Sequence, residues 1–318
     1  MSGVVDAIGV ISGLLTIVSF SINNFGQDQD PGSTIKVAVG LDGPGGTEKA
    51  GGDLPDVRIW NDFGEYKAMT ADPGSVTSGN IGTVTVDHDQ QGVYSLFSAN
   101  NDAICIAWVT TTWADTAGGN KYAVSGDYGE ACGGTWYESN LWTNGENSYQ
   151  PKCFWIDGNG DQPNTGFQGN TDPANICNDI DFGLRTEEDP SDINYWVKGK
   201  KRDLKERPMR ARRDVRAPWT ETELVISESK YHSASKLCGS EISMGPDFVH
   251  VGENLFCDMG AKKAYPLCGG SSAGTNSTAM AKTCFDFESK NLVTGGVVKR
   301  ASPYTSVRDW RSKIPATN

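Results

Sequence analysis

Histidine is scarce in this chain of 318 residues, with three copies, and no two of its eight cysteines stand closer than eleven positions. A structural zinc site needs ligand pairs a few residues apart so that one turn presents two of them, and the chain has no Cys-x-x-Cys. A zinc staple is therefore not expected. A phosphate-binding loop and a His-Glu-x-x-His helix are missing as well. His88, between Asp87 and Asp89, reads as a polar strand end, and His232 and His250 have no nucleophile motif beside them. The acids Glu187, Glu188 and Asp189 abut Pro190 and read as a solvated loop. With no catalytic set in view, a non-enzymatic protein is the expectation.

Basic charge is also in short supply: 28 Lys and Arg stand against 40 Asp and Glu, a net charge of -12. What there is gathers in one place. Lys198 to Arg216 holds ten Lys or Arg with three acids, so it carries +7 and the remainder of the chain sums to -19. Nucleic-acid binding needs many basic contacts backed by stacking or groove-reading elements, so nucleic acid is not an expected partner. The segment reads as a solvated linker broken by Pro208, as a positive strap over acidic surface, or as a processing site marked by the dibasic pairs Lys201-Arg202 and Arg212-Arg213.

That segment parts the cysteines into two groups of four, Cys105, Cys132, Cys153 and Cys177 before it and Cys238, Cys257, Cys268 and Cys284 after it. Disulfides are expected within each group and none between them, with Cys257 joined to Cys268 across a hairpin. Such pairing belongs to an oxidising compartment, so a secreted or cell-surface protein is expected; a cytoplasmic one would keep eight buried thiols. Asn276-Ser277-Thr278 is a glycosylation acceptor that fits the same reading. The segments expected are an apolar helix and linker over 1–32, a sandwich over 33–185, the basic linker over 186–219 and a small cysteine-rich module over 220–318.

From Val4 to Ile22 the chain is apolar apart from Asp6 and a set of small or hydroxyl residues. Gly9, Ser12, Gly13, Thr16 and Ser19 recur at steps of three and four, opposite Val5, Ile8, Ile11, Leu15 and Val18, and this spacing predicts a helix. Gly9, Gly13 and Thr16 would form a small-residue stripe that another copy can approach closely, so self-association is expected there. As a secretory signal the segment is atypical, with no Lys or Arg before it. As a membrane span it is barely long enough and carries Asp6, which leaves a membrane-active defence role as a weaker alternative.

After Ser33 the period changes to two. Ile35, Val37, Val39 and Leu41 alternate with smaller or polar residues, and Val84 with Val86, Tyr94 with Leu96, and Ile104 with Ile106 and Trp108 repeat the pattern between Gly- and Asn-rich turns. Short alternating strands without helical spacing between them predict an antiparallel sandwich, jelly-roll-like, in a mainly β protein. Trp113, Trp136, Tyr137, Trp142 and Tyr149 would serve such a sandwich either as core or as a sugar platform. Beyond Arg216, Glu223 to Ile226 reads as a strand, Ser233 to Leu237 as a helical turn, and Phe256 to Met259 with Ala264 to Leu267 as a hairpin. So thin a core would gain about 2 to 4 kcal/mol from each disulfide.

Asp157-Gly158-Asn159-Gly160-Asp161 places oxygen ligands at alternating positions, as at the opening of a calcium loop. Gln162 stands where the turn glycine belongs and Gln168 where the bidentate acid belongs, so calcium at Asp157, Asn159 and Asp161 would need ligands from elsewhere; the other reading is a turn capped by its own backbone.

The runs Gly-Gly-Asp-Leu-Pro-Asp-Val-Arg-Ile-Trp-Asn at 51–61, Phe-Ser-Ala-Asn-Asn-Asp-Ala-Ile-Cys-Ile-Ala at 97–107, Cys-Gly-Gly-Thr-Trp-Tyr at 132–137 and Cys-Phe-Trp-Ile-Asp-Gly-Asn-Gly-Asp-Gln-Pro at 153–163 resemble a group of uncharacterised proteins of filamentous ascomycete fungi. Gly-Pro-Asp-Phe-Val at 245–249 and Phe-Cys-Asp-Met at 256–259 extend the resemblance over most of the chain. It implies a fungal source and a β-rich fold, and no function. The expected function is a structural protein that assembles with copies of itself into an oligomer or filament; a carbohydrate-binding extracellular module is the alternative.

Overall fold

The computed structural model describes residues 4–11, 14–26, 32–40, 49–61, 63–90, 92, 94–113, 120–158, 166–170, 217–269, 283–295, 297–298 and 302–311, without the side chains of 4–17, 113, 120, 166–170 and 297–298. The chain divides near residue 212 into two compact units. Both are mainly β, with three short α-helices among the described residues.

In the N-terminal unit one antiparallel sheet runs in the order β12 (Trp136–Glu138), β13 (Lys152–Ile156), β10 (Ile104–Trp113), β3 (Ser33–Val39) and β8 (Ile81–Val86). Strand β10 is ten residues long, and two shorter strands share one of its edges: β13 pairs with Ile104 to Ile106, and β11 (Asn120–Ser125) with Trp108 to Trp113. A second antiparallel sheet has the order β14 (Gly166–Asn170), β9 (Tyr94–Ser98), β5 (Asp56–Trp60) and β6 (Tyr66–Thr70). The hydroxyls of Ser95 and Tyr122, 3.2 Å apart, tie this sheet to β11, and the Thr70 hydroxyl donates to the Thr85 carbonyl of β8. A two-residue ladder joins β4 (Gly52–Asp53) to β7 (Ser75–Val76). These sheets do not show the expected jelly-roll arrangement, because β10 carries two consecutive partners along a single edge.

The period-two expectation holds for Ile35, Val37 and Val39, which are buried, and the intervening Thr34 and Ala38 are buried too. Strands covered on both faces explain this. Over the Thr34, Lys36 and Ala38 face lies the chain from Val18 to Gly26: Phe20 meets Trp108 edge to face at 5.9 Å, Lys36 Nζ donates to the Asn23 carbonyl at 3.0 Å, and the Thr110 hydroxyl donates to the Asn24 carbonyl.

The expected N-terminal helix is corrected. Val4–Ile11 and Leu14–Ser21 are strands β1 and β2 of an antiparallel hairpin, followed by a single 3-10 turn at Ile22–Asn24. Eight of the eighteen residues from Val4 to Ser21 are β-branched, which disfavours the helix and favours the pleat, and Ser12-Gly13 supplies a turn signal between the halves. Gly9 sits opposite Thr16 across the hairpin instead of two turns from it on a helical stripe, and Gly13 lies outside the described residues. Val18, Phe20 and Phe25 are buried within this same unit.

The C-terminal unit mixes directions. Its sheet runs β18 (Lys263–Pro266), β17 (Leu255–Asp258), β16 (Asp247–His250), β15 (Glu223–Ser227) and β22 (Ser306–Asp309), and β15 is parallel to both of its neighbours. Strands β19 (Thr283–Asp286), β20 (Asn291–Thr294) and β21 (Val297–Val298) form a second sheet. A one-turn helix precedes β15 at Pro218–Glu221, and a second, Ala234–Gly239, makes the crossover from β15 to β16; the Ser233 hydroxyl caps it by accepting from the Lys236 N–H at 3.1 Å. Leu224, Ile226, Val249, Phe256 and Phe285 form the core, with Phe256 and Phe285 stacked at 4.0 Å.

Three disulfides are described, each within one unit: Cys105–Cys153, Cys238–Cys257 and Cys268–Cys284. The expected Cys257–Cys268 bond is corrected. The hairpin forms as expected, but its register sets Cys257 opposite Ala264 and Leu255 opposite Pro266, so Cys268 stands well past Cys257, which turns to the crossover helix instead. Cys132 is disulfide-bonded too, and Cys177 lies outside the described residues. The basic segment lies outside them as well.

Candidate functional site

Two places in the N-terminal unit hold the chemistry. The first is a buried charge cluster around Lys152. The α-helix of this unit, Asp127–Ala131, packs so closely on β13 that a Cβ at Gly126 would lie 1.9 Å from the Lys152 carbonyl oxygen, so only glycine fits. This seats Glu130 3.1 Å and Asp127 4.0 Å from Lys152 Nζ, while the β12–β13 register puts Glu138 directly opposite Lys152. The ammonium also lies 5.3 Å from the Trp136 ring centroid, and the Lys152 side chain is only 8% exposed.

Asp127 accepts from the Ser125 hydroxyl at 2.9 Å and from the Lys152 N–H at 3.3 Å, and it hydrogen-bonds Tyr149. Burial raises its pKa all the same, outweighing Lys152 and these donors. For Lys152 burial acts downward, but the carboxylates of Glu138, Asp127 and Glu130 outweigh it and raise the pKa. Burial, then the neighbouring Asp127, pushes the Tyr149 phenol up. The ion pairs of Lys152 with Asp127 and Glu130, and the hydrogen bonds of Asp127, tie the helix to β13 and to Tyr149. Its centre is covered, with Asp127, Glu138 and Trp136 buried, while Glu130 at 21% exposure and the half-buried Tyr149 reach the surface.

The raised Asp127 pKa has a pH signature. Stability that depends on neutral Asp127 is fully present below the unfolded value of 3.8 and is lost as pH rises through the folded value. Asp127→Asn, which cannot ionise, is expected to gain stability relative to the parent as pH rises from about 4, as followed by urea unfolding. A parent that gains on the variant as pH rises would contradict this assignment.

The second place is the hairpin that joins β5 to β6. Phe63 is 84% exposed, Tyr66 44% and Met69 39%, and these are three of the six exposed large apolar side chains among the described residues. Asn61 organises the turn: its side-chain oxygen accepts from the Phe63 and Glu65 N–H groups, and its amide donates to Glu65 Oε2 at 2.9 Å. Strand β6 ends its sheet, with β5 on one side and no strand on the other among the described residues. Lysine on an edge strand normally guards it against pairing with another chain. Here Lys67 is tied to Glu65 at 2.9 Å, and hydrogen bonds from Lys67 and then Asn61 hold the Glu65 carboxyl below its usual range. The guard is neutralised.

The other residues singled out in the sequence fall apart in space. Asp157 is fully buried at the end of β13, whereas Asn159, Asp161 and Asn276 lie outside the described residues, so the calcium expectation has one of its three ligands in view. Among the described residues no group of three His, Cys, Asp or Glu can hold a metal ion. Trp136 and Tyr137 are core, Trp142 and Tyr149 are half-buried, and the Trp113 side chain is outside the description. His88 bonds Ser33 through Nε2 at 2.6 Å and the Gln90 carbonyl through Nδ1, and burial lowers its pKa. Sequence reasoning missed the Ser227–His232 pair at 2.7 Å; no motif marks it, and both side chains are buried, with the His232 ring against Phe248 and Trp310.

No family model, curated protein or solved structure matches this chain. Function is therefore read from the geometry alone.

Proposed function

We propose that this chain is a non-catalytic extracellular structural protein that assembles with copies of itself through the N-terminal unit. The observation that carries the reading is the edge of the four-stranded sheet, where Phe63, Tyr66 and Met69 present apolar surface and β6 has no strand partner on its outer side among the described residues, its lysine being bound to Glu65. The disulfides of both units are compatible with an extracellular setting. The acids around Lys152 are engaged in ion pairs and hydrogen bonds within the cluster, which favours a structural role over catalysis. The sugar-binding reading has less to stand on. Its two half-buried aromatics are Trp142 and Tyr149, and Tyr149 is committed to Asp127. No helix of the described residues is long and apolar enough to cross a membrane.

Static light scattering and negative-stain electron micrographs of the purified native chain test the proposal. Discrete dimers or longer assemblies are expected, and a uniform field of monomers at high protein concentration would overturn it.

A further inference from the structure

We infer that the side chains of Lys152 and Asp127 join as an amide, a cross-link that the chain makes in itself and that survives reducing agents. This goes beyond the self-association reading and does not depend on it. The parts of an acyl transfer stand around the one bond to be made. Lys152 Nζ is the nucleophile, 4.0 Å from Asp127 Oδ1, and Glu130 Oε2 stands 3.1 Å from the same nitrogen to accept its proton. On the other side, the Asp127 carboxyl accepts from the Ser125 hydroxyl at 2.9 Å and the Lys152 N–H at 3.3 Å and is bonded to Tyr149, so donors already surround the oxygens where charge develops. Burial of Asp127 favours its neutral, attackable form. The Lys152 side chain is only 8% exposed, so the two reacting groups are held together with little competing water. An exposed ion pair has neither feature.

Lys152 rests as the ammonium, which the surrounding carboxylates favour, so closure is slow and happens once per chain. One ammonium proton passes to Glu130, the freed lone pair attacks Asp127 Cγ, and the hydroxyl of the neutral carboxyl leaves with that proton as water. The second proton that the nitrogen sheds reaches solvent through Glu130, which is 21% exposed. Nothing is oxidised or reduced, and no co-reactant is needed. The bond ties the start of the helix to β13 across 25 positions. The Asp127 titration and the ion pair described above belong to the chain before closure, and a closed chain loses both.

The intact mass of the purified full chain after disulfide reduction is the test. A mass about 18 Da below the sequence value, one water lost per chain, is expected, together with a branched peptide that joins residues 127 and 152. Glu130→Gln keeps both reacting groups and is expected to slow the loss of water about a hundredfold or more when fresh protein is followed over time. Lys152→Arg keeps the cation without the amine and is expected to hold the full mass. Full mass in the parent after days at neutral pH overturns the proposal, as does a loss of water that persists in Asp127→Ala. Either result leaves the assembly of copies untouched, since the mass is read on single denatured chains.

Discussion

Replacing Cys105 and Cys153 together by alanine is expected to lower the stability of the N-terminal unit by about 4 kcal/mol, the entropy of closing a loop of this length in the unfolded chain. The two cysteines are 48 positions apart, a longer span than the 19 and 16 of the other described disulfides, and both are fully buried. The bond fastens β10 to β13, the strand that carries Lys152. It also lies against Gly40, where an added Cβ would come within 2.9 Å of the Cys153 sulfur, so little slack surrounds it. Urea unfolding followed by tryptophan fluorescence checks the figure, because Trp108, Trp136 and Trp155 are buried around this seam. A loss below about 1 kcal/mol would mean that the strand pairing holds the seam without the covalent link.

Lys152→Met is expected to cost about 3 kcal/mol or more at neutral pH, since removal of one partner leaves buried charge uncompensated. The methionine fills the same space, so the loss reports the missing ammonium between Asp127, Glu130 and Glu138 and not a cavity. The sign of the pH dependence follows. Without Lys152, Asp127 loses the cation that favours its ionised form and its neutral form is favoured further; the deficit should narrow as pH falls toward about 4. Urea unfolding of parent and variant at pH 7 and pH 4 checks both statements. An equal deficit at the two values would show that the lysine acts through packing alone.

Much of the β architecture was legible in the residues. The alternation of Ile35, Val37 and Val39, the strand at Glu223 to Ile226, the turn after Ser233 and the Phe256 hairpin are all local patterns, and local patterns survive folding here. The N-terminal hairpin was misread because Gly9, Gly13 and Thr16 fall at helical spacing by coincidence, while the β-branched residues around them weigh the other way. What stayed hidden depends on long-range register. Cys257 could not be assigned to Cys238 without knowing which residue faces it across β17 and β18. Asp127, Glu138 and Lys152 are dispersed in sequence and meet because β12 pairs with β13 and the Asp127–Ala131 helix packs on β13. The edge position of β6 is likewise a property of strand order: the sequence shows Phe63, Tyr66 and Met69 without showing that, among the described residues, no second strand pairs with β6.

Sedimentation velocity of the native chain over a hundredfold range of loading concentration tests self-assembly most directly. A weighted-average sedimentation coefficient that climbs with concentration, from monomer to dimer or beyond, is the predicted result. A coefficient that stays at the monomer value across the whole range would contradict it.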